Sequence, residues 1–130
     1  MNKDNLNISS IETYLYSIID TTVSNNTYVG ELPDVIQSSW TDMCLIDVAN
    51  AVKDFDAYGS GLVNIFLYAR PMQSGSKNVA VMSKLEKALN AVISSAVSDT
   101  YHINRAHTYS DYDSDRKWHC NIVTLNITIV

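Results

Sequence analysis

Apolar residues recur along this chain with two different periods, and the switches between them mark out its elements. Ile11, Tyr14, Leu15, Ile18 and Ile19 return at helical spacing, which places them on one face of a helix over about 10–23. Ser9 followed by Glu12 has the spacing of a capping box at its start, and Ser24-Asn-Asn-Thr27 ends it. Residues 28–39 hold Gly30 and Pro33 and show no clean period. They read as an extended loop with one short strand near Tyr28.

The period then shortens to two. In Trp40–Val52, Met43, Leu45 and Asp47 face one way and Cys44, Ile46 and Val48 the other. Turn residues over 54–61, with Gly59-Ser-Gly61, predict a loop. In the following run Val63, Ile65 and Leu67 oppose Leu62, Phe66 and Tyr68. The two runs predict an antiparallel hairpin that is apolar on both sides at its centre, so helices or a neighbouring subunit must cover both sides. Pro71 and Gly75 break the chain. Over about 77–97, Met82, Leu85, Leu89, Val92 and Ala96 form a helical stripe widened by Val81 and Ala88, which reads as core. Tyr101–Tyr109 and Trp118–Val130 are the last strands, separated by a turn over 110–117. Val123, Leu125, Ile127 and Ile129 alternate with Thr124, Asn126 and Thr128, the clearest period-two signal in the chain. The expectation is an α+β fold. An antiparallel sheet of about four strands packs against an N-terminal helix and one central helix, in a single domain over 1–130.

Composition adds limits. A chain of 130 residues, 46% hydrophobic, can bury a core without a disulfide or metal staple. No apolar run approaches the ~20 residues that cross a bilayer, and Met1–Asn7 is polar, so neither a membrane span nor a secretory signal is expected. The sequons at Asn7, Asn25 and Asn126 then carry no glycan. Cys44 and Cys120 are expected as buried free thiols. Charge is uneven: residues 1–60 hold nine acids against two lysines, net −7, and residues 61–130 hold seven bases against five acids, net +2, which together give −5. Such a chain lacks the basic patch that grips phosphates. An acidic face of one copy could instead meet a more basic face of the next.

Candidate chemistry is sparse. Asp111, Asp113 and Asp115 have the 1-3-5 spacing of a calcium loop, but Arg116 and Ile122 stand where an EF-hand needs Gly and Glu. A solvated hairpin turn is the default. His102, His107, His119 and Cys120 match no structural-zinc spacing. On a regular strand His102 and His107 point to opposite faces, as do His119 and Cys120. There is no Gly-x-Ser-x-Gly, phosphate loop or dinucleotide fingerprint. Catalytic, cofactor and metal residues are therefore not assigned, and an enzyme is not expected. Arg70 and Arg105 read as ordinary surface charges that could pair with acids across an interface.

Helix Ile11–Ile19, loop Tyr28-Val-Gly-Glu-Leu-Pro33, strands Trp40–Val48 and Val63–Ala69, helix Val79–Val97 and strand Val123–Val130 follow one another in this order. The order resembles that of bacteriophage tail terminator (tail completion) proteins, and is similar to that of the related neck and head–tail joining proteins. The resemblance implies a structural virion protein whose subunits form a hexameric ring on the tail tube. That ring would join the tube to the head and pass DNA through an acidic lumen without binding it. It implies no catalytic residues. Phe55, Tyr58 and the Asp111, Asp113 and Asp115 turn are then expected to contact neighbouring subunits or the tail tube. The alternatives are a neck connector or, in a different class, a small ligand- or metal-binding α+β domain.

Overall fold

The computed structural model describes the backbone of residues 7–55 and 58–130, and the side chains of these except 52–55 and 58. The elements are α1 (Ile8–Ile19), β1 (Thr27–Val29), β2 (Asp42–Phe55), β3 (Tyr58–Ala69), α2 (Val79–Ser95), β4 (Tyr101–Asp113) and β5 (Trp118–Ile129). The fold is α+β, with five strands in the order β1-β2-β3-β5-β4. The expected four strands form the antiparallel part of this sheet. The fifth, β1, pairs parallel to β2, with Tyr28 opposite Leu45, so the sheet is mixed.

Both helices pack on one face. Ile11, Leu15 and Ile19 of α1 and Met82, Leu85, Leu89 and Val92 of α2 are buried. They meet Cys44, Ile46 and Val48, then Val63, Ile65 and Leu67, then Val123, Leu125, Ile127 and Ile129. Each fully buried aliphatic side chain contributes roughly 1.5–3 kcal/mol of transfer free energy. The helix starts differ from the sequence expectation. Asn7 caps α1, its Oδ1 accepting from Ser10 N at 2.7 Å. Ser9 lies inside the first turn and is not the cap. Asn78 caps α2 by accepting from Val81 N.

The opposite face carries a second layer. Leu32, Met43, Leu45, Tyr68, Trp118, Cys120 and Ile122 are buried there, with Tyr28, Ile36, Trp40 and Phe66 packed around them. The chain's own segment 30–41 packs over it, with Leu32, Ile36 and Trp40 in the cluster, where a helix or a neighbouring subunit was expected. Arg70 holds that segment in place. Its Nε donates to Trp40 O (2.7 Å), its Nη2 donates to Gln37 O (3.0 Å), and its guanidinium lies 4.7 Å from the Trp118 ring centroid. Arg70 is thus an internal staple, not a loose surface charge.

The stretch expected as a loop over 54–61 belongs largely to the hairpin, since β2 runs to Phe55, β3 begins at Tyr58, and these two residues are paired. Gly61 lies inside β3 opposite Ala51. A Cβ there would sit 3.2 Å from Asn50 O and 3.2 Å from Ile11 Cδ1. This glycine admits α1 close to the sheet and makes no turn. β4 likewise runs four residues beyond Tyr109, to Asp113.

Candidate assembly interface

The ladder register sorts the outer face into rows. Asp47, Asn64, Thr124 and His107 form one row across four strands, tied by Thr124 Oγ1 donating to Asn64 Oδ1 at 2.9 Å. Leu45, Phe66, Ile122 and Tyr109 form the next, and Met43, Tyr68, Cys120 and Asp111 the one after. Segment 30–41 covers the apolar rows. The polar rows have no cover from the segment's buried cluster.

The sequence-predicted contact residues fall in two places. Phe55 and Tyr58 form the last pair of the β2–β3 ladder, at the hairpin tip; their side chains lie outside the described residues. Asp111, Asp113 and Asp115 sit at the other end of the sheet and do different things. Asp111 lies opposite Cys120 on the outer face and accepts from Tyr112 N. Asp113 is committed to the turn: Oδ1 accepts from Asp115 N and Arg116 N, and Oδ2 pairs with Arg116 Nη1 at 3.0 Å. Asp115 is exposed. The three carboxylates do not converge, and no group of three or more metal-ligating side chains converges among the described residues.

The histidines correct a prediction. The irregularity between Arg105 and His107 places one extra residue in β4. His102 opposes Thr128 and His107 opposes Thr124, so both lie on the outer face. Regular alternation had put them on opposite faces. His107 stacks on Tyr109 with ring centroids 5.9 Å apart. His119 is on the helix side, edge-on to Tyr112 at 4.9 Å and with Nε2 3.2 Å from Gly75 O.

A polar cluster on the helix side escaped the sequence reading. Lys77 Nζ donates to Asn121 Oδ1 (2.7 Å) and Ser110 Oγ (3.1 Å), and Asn121 Nδ2 donates to Glu86 Oε1 (2.6 Å). Ser110 Oγ donates to Asn121 Oδ1. Its members are scattered in sequence and follow no motif. Together they satisfy the half-covered end of the sheet beyond the reach of α2's apolar stripe. Arg105 is also engaged, with Nη1 donating to Asn90 Oδ1 of α2.

Both cysteines are free and buried. Burial, reinforced by Asp42, pushes the Cys44 thiol up to about 12. Burial, with Asp111 and Asp113 adding and Lys77 opposing, pushes Cys120 up to about 11. Nucleophilic cysteines need the opposite shift. A groove of about 590 Å³ runs beside β1, walled by Glu12, Thr13, Tyr16, Tyr28 and Val29. No helix among the described residues is long and apolar enough to cross a membrane. No protein-family model matches the chain, and no curated protein matches it.

Proposed function

We propose that this protein is a ring-forming structural component of a bacteriophage tail, a tail terminator that caps the tail tube and joins it to the head. The observation that carries the reading is the order of elements: helix, short strand and loop, long hairpin, second helix, closing strand pair. The uneven charge supports it, because an acidic half can line a channel that passes DNA. In this reading the assembly is a homo-hexamer in the virion, the tail tube and neck proteins are its partners, and it carries no catalytic site. A neck connector is the same reading one ring further toward the head. The Lys77, Asn121 and Glu86 cluster favours the competing class, a small ligand-binding domain, to the extent that it gathers charge in a partly buried place.

Negative-stain imaging of concentrated protein separates these classes. Rings of about six subunits with an open lumen are expected. The double substitution Phe55→Ala and Tyr58→Ala is expected to abolish rings while leaving the far-ultraviolet circular dichroism unchanged. Intact rings from the double variant would remove the hairpin tip from the interface. A monomer whose melting temperature rises with a small ligand would support the competing class instead.

A further inference from the structure

β4 is an edge strand of unusual length. It closes the sheet on one side and spans Tyr101–Asp113, and its outward residues are mostly exposed. Edge strands in soluble proteins are blunted by proline, lysine, bulges or brevity. Past the irregularity at Ala106, the stretch 107–113 is regular and holds neither proline nor lysine, and its only charged side chains are Asp111 and Asp113 at one end. Tyr109 and Tyr112 are 49% and 46% exposed along it.

The direction of its free backbone groups is fixed. Val130 N donates to Thr100 O at 2.9 Å, so Thr100 and Val130 are a hydrogen-bonded pair. By the antiparallel alternation, β4 residues opposite even-numbered positions of β5 point their backbone groups inward. Thr108, Ser110 and Tyr112 lie opposite Val123, Asn121 and His119. Their N–H and C=O groups therefore point out from the edge, and of these the Tyr112 N–H already donates to Asp111 Oδ1 at 2.8 Å.

The charge order along the same stretch selects an occupant. His107 stands at one end, and Asp111 and Asp113 at the other, all three on the outer face. An acidic strand is repelled, and a parallel copy places like charges together. An antiparallel copy separates the carboxylates and sets each imidazole, a hydrogen-bond donor, beside a carboxylate. We propose that β4 pairs with β4 of a second copy of this chain about a two-fold axis at Tyr109, joining two sheets into one. In that register Thr108 of each copy exchanges both backbone bonds with Ser110 of the other. On the outer face, the His107 imidazole meets the second copy's Asp111 carboxylate as donor and acceptor on either side of a Tyr109 pair, an arrangement of cross-strand aromatic and hydrogen-bonding contacts that stabilises sheets. The contact is isologous and closes on itself, the commonest form of symmetric association. It does not depend on the ring reading and leaves the hairpin tip and the β1 edge open.

The test uses the full chain in a dilution series by light scattering, with oxidative cross-linking of Tyr109→Cys. Opposed non-hydrogen-bonded positions bring Cβ atoms within reach of a disulfide only at the axis. A species of twice 14.5 kDa that dissociates on dilution, and a reducible Tyr109→Cys dimer, are expected. Asp111→Lys is expected to weaken association about tenfold, and adding His107→Glu to restore it. Both positions are exposed, so the fold tolerates the changes. A monomer at every concentration would overturn the proposal. So would larger assemblies that ignore Asp111→Lys and leave Tyr109→Cys uncrosslinked, a result that would keep the ring reading while discarding this contact.

Discussion

At the scale of single residues, Cys44, Cys120 and Tyr68 link the fold to pH. Burial is the leading cause of each upward shift, to about 12, about 11 and about 12 respectively. The folded state holds these protons more tightly than the unfolded chain, whose ordinary values are 9.0 for the thiols and 10.0 for the phenol. Stability is therefore full below pH 9 and is lost as pH rises toward 12. Equilibrium unfolding in urea from pH 7 to 11 checks this: the midpoint is expected to hold to about pH 9 and then fall. A midpoint that rises across that interval would reverse the assignment. The helix cap is the second residue-scale case. Asn7→Ala removes the acceptor for Ser10 N and is expected to cost about 1 kcal/mol, whereas Ser9→Ala is expected to cost less because Ser9 caps nothing. The sequence suggested the reverse, since Ser9 and Glu12 have capping-box spacing and Asn7 sits in a polar leader without a pattern around it.

Elements were legible where one face carried a strict period. The α1 stripe, the α2 stripe as far as Val92 and the Val123–Ile129 alternation needed no tertiary information, and each lies in the main core, whereas Ala96, expected in the α2 stripe, is the C-cap beyond the helix and outside that core. Boundaries failed where a residue's usual local meaning was overridden by a neighbour. Gly61 has turn chemistry in sequence, but its missing Cβ makes room for Ile11 of α1 against the sheet. Ala106 carries no mark of an irregular strand, yet the shift beside it moves His107 to the same face as His102. The segment over 30–41 was invisible as a cover because its apolar residues have no period. It depends on Arg70, whose role exists only once Trp40, Gln37 and Trp118 surround it. Two substitutions probe these contacts. Gly61→Ala places a methyl group 3.2 Å from a backbone oxygen that cannot rotate away, and a loss of about 1–3 kcal/mol is expected by denaturant titration. Arg70→Ala removes two charge-assisted bonds and a cation–π contact, and a loss of about 1–3 kcal/mol is expected, with altered Trp40 and Trp118 fluorescence. Arg70→Lys should recover only part of it, because an ammonium cannot fork between two carbonyls. Full recovery by lysine would show that charge alone holds the segment.

For the molecule as a whole, the two faces of the sheet are unequal, and that inequality sets an order of opening. The helix side joins six elements through one continuous cluster. The outer side is covered by a single segment without regular structure, held at Arg70. Central strands β3 and β5 are flanked on both sides, so their amides are freed only when the sheet comes apart, while the outer cover can lift with the sheet intact. Hydrogen exchange reads this order directly. Ile65, Val123 and Leu125 are expected to be the slowest amides, near the global unfolding free energy, and Leu32 and Ile36 to exchange orders of magnitude faster. The edge separates from both by its dependence on concentration. In dilute protein the outward amides of Thr108 and Ser110 exchange quickly beside protected neighbours at Tyr109 and Asp111, because alternate residues of one strand face β5 and solvent. Two-fold pairing adds partners to Thr108 and Ser110, so their protection should rise with concentration while that of Ile65 stays fixed. Uniform protection along 107–112 in dilute solution would mean that the edge is already covered from within the chain, and the sheet would then have no free side on which a second copy could add.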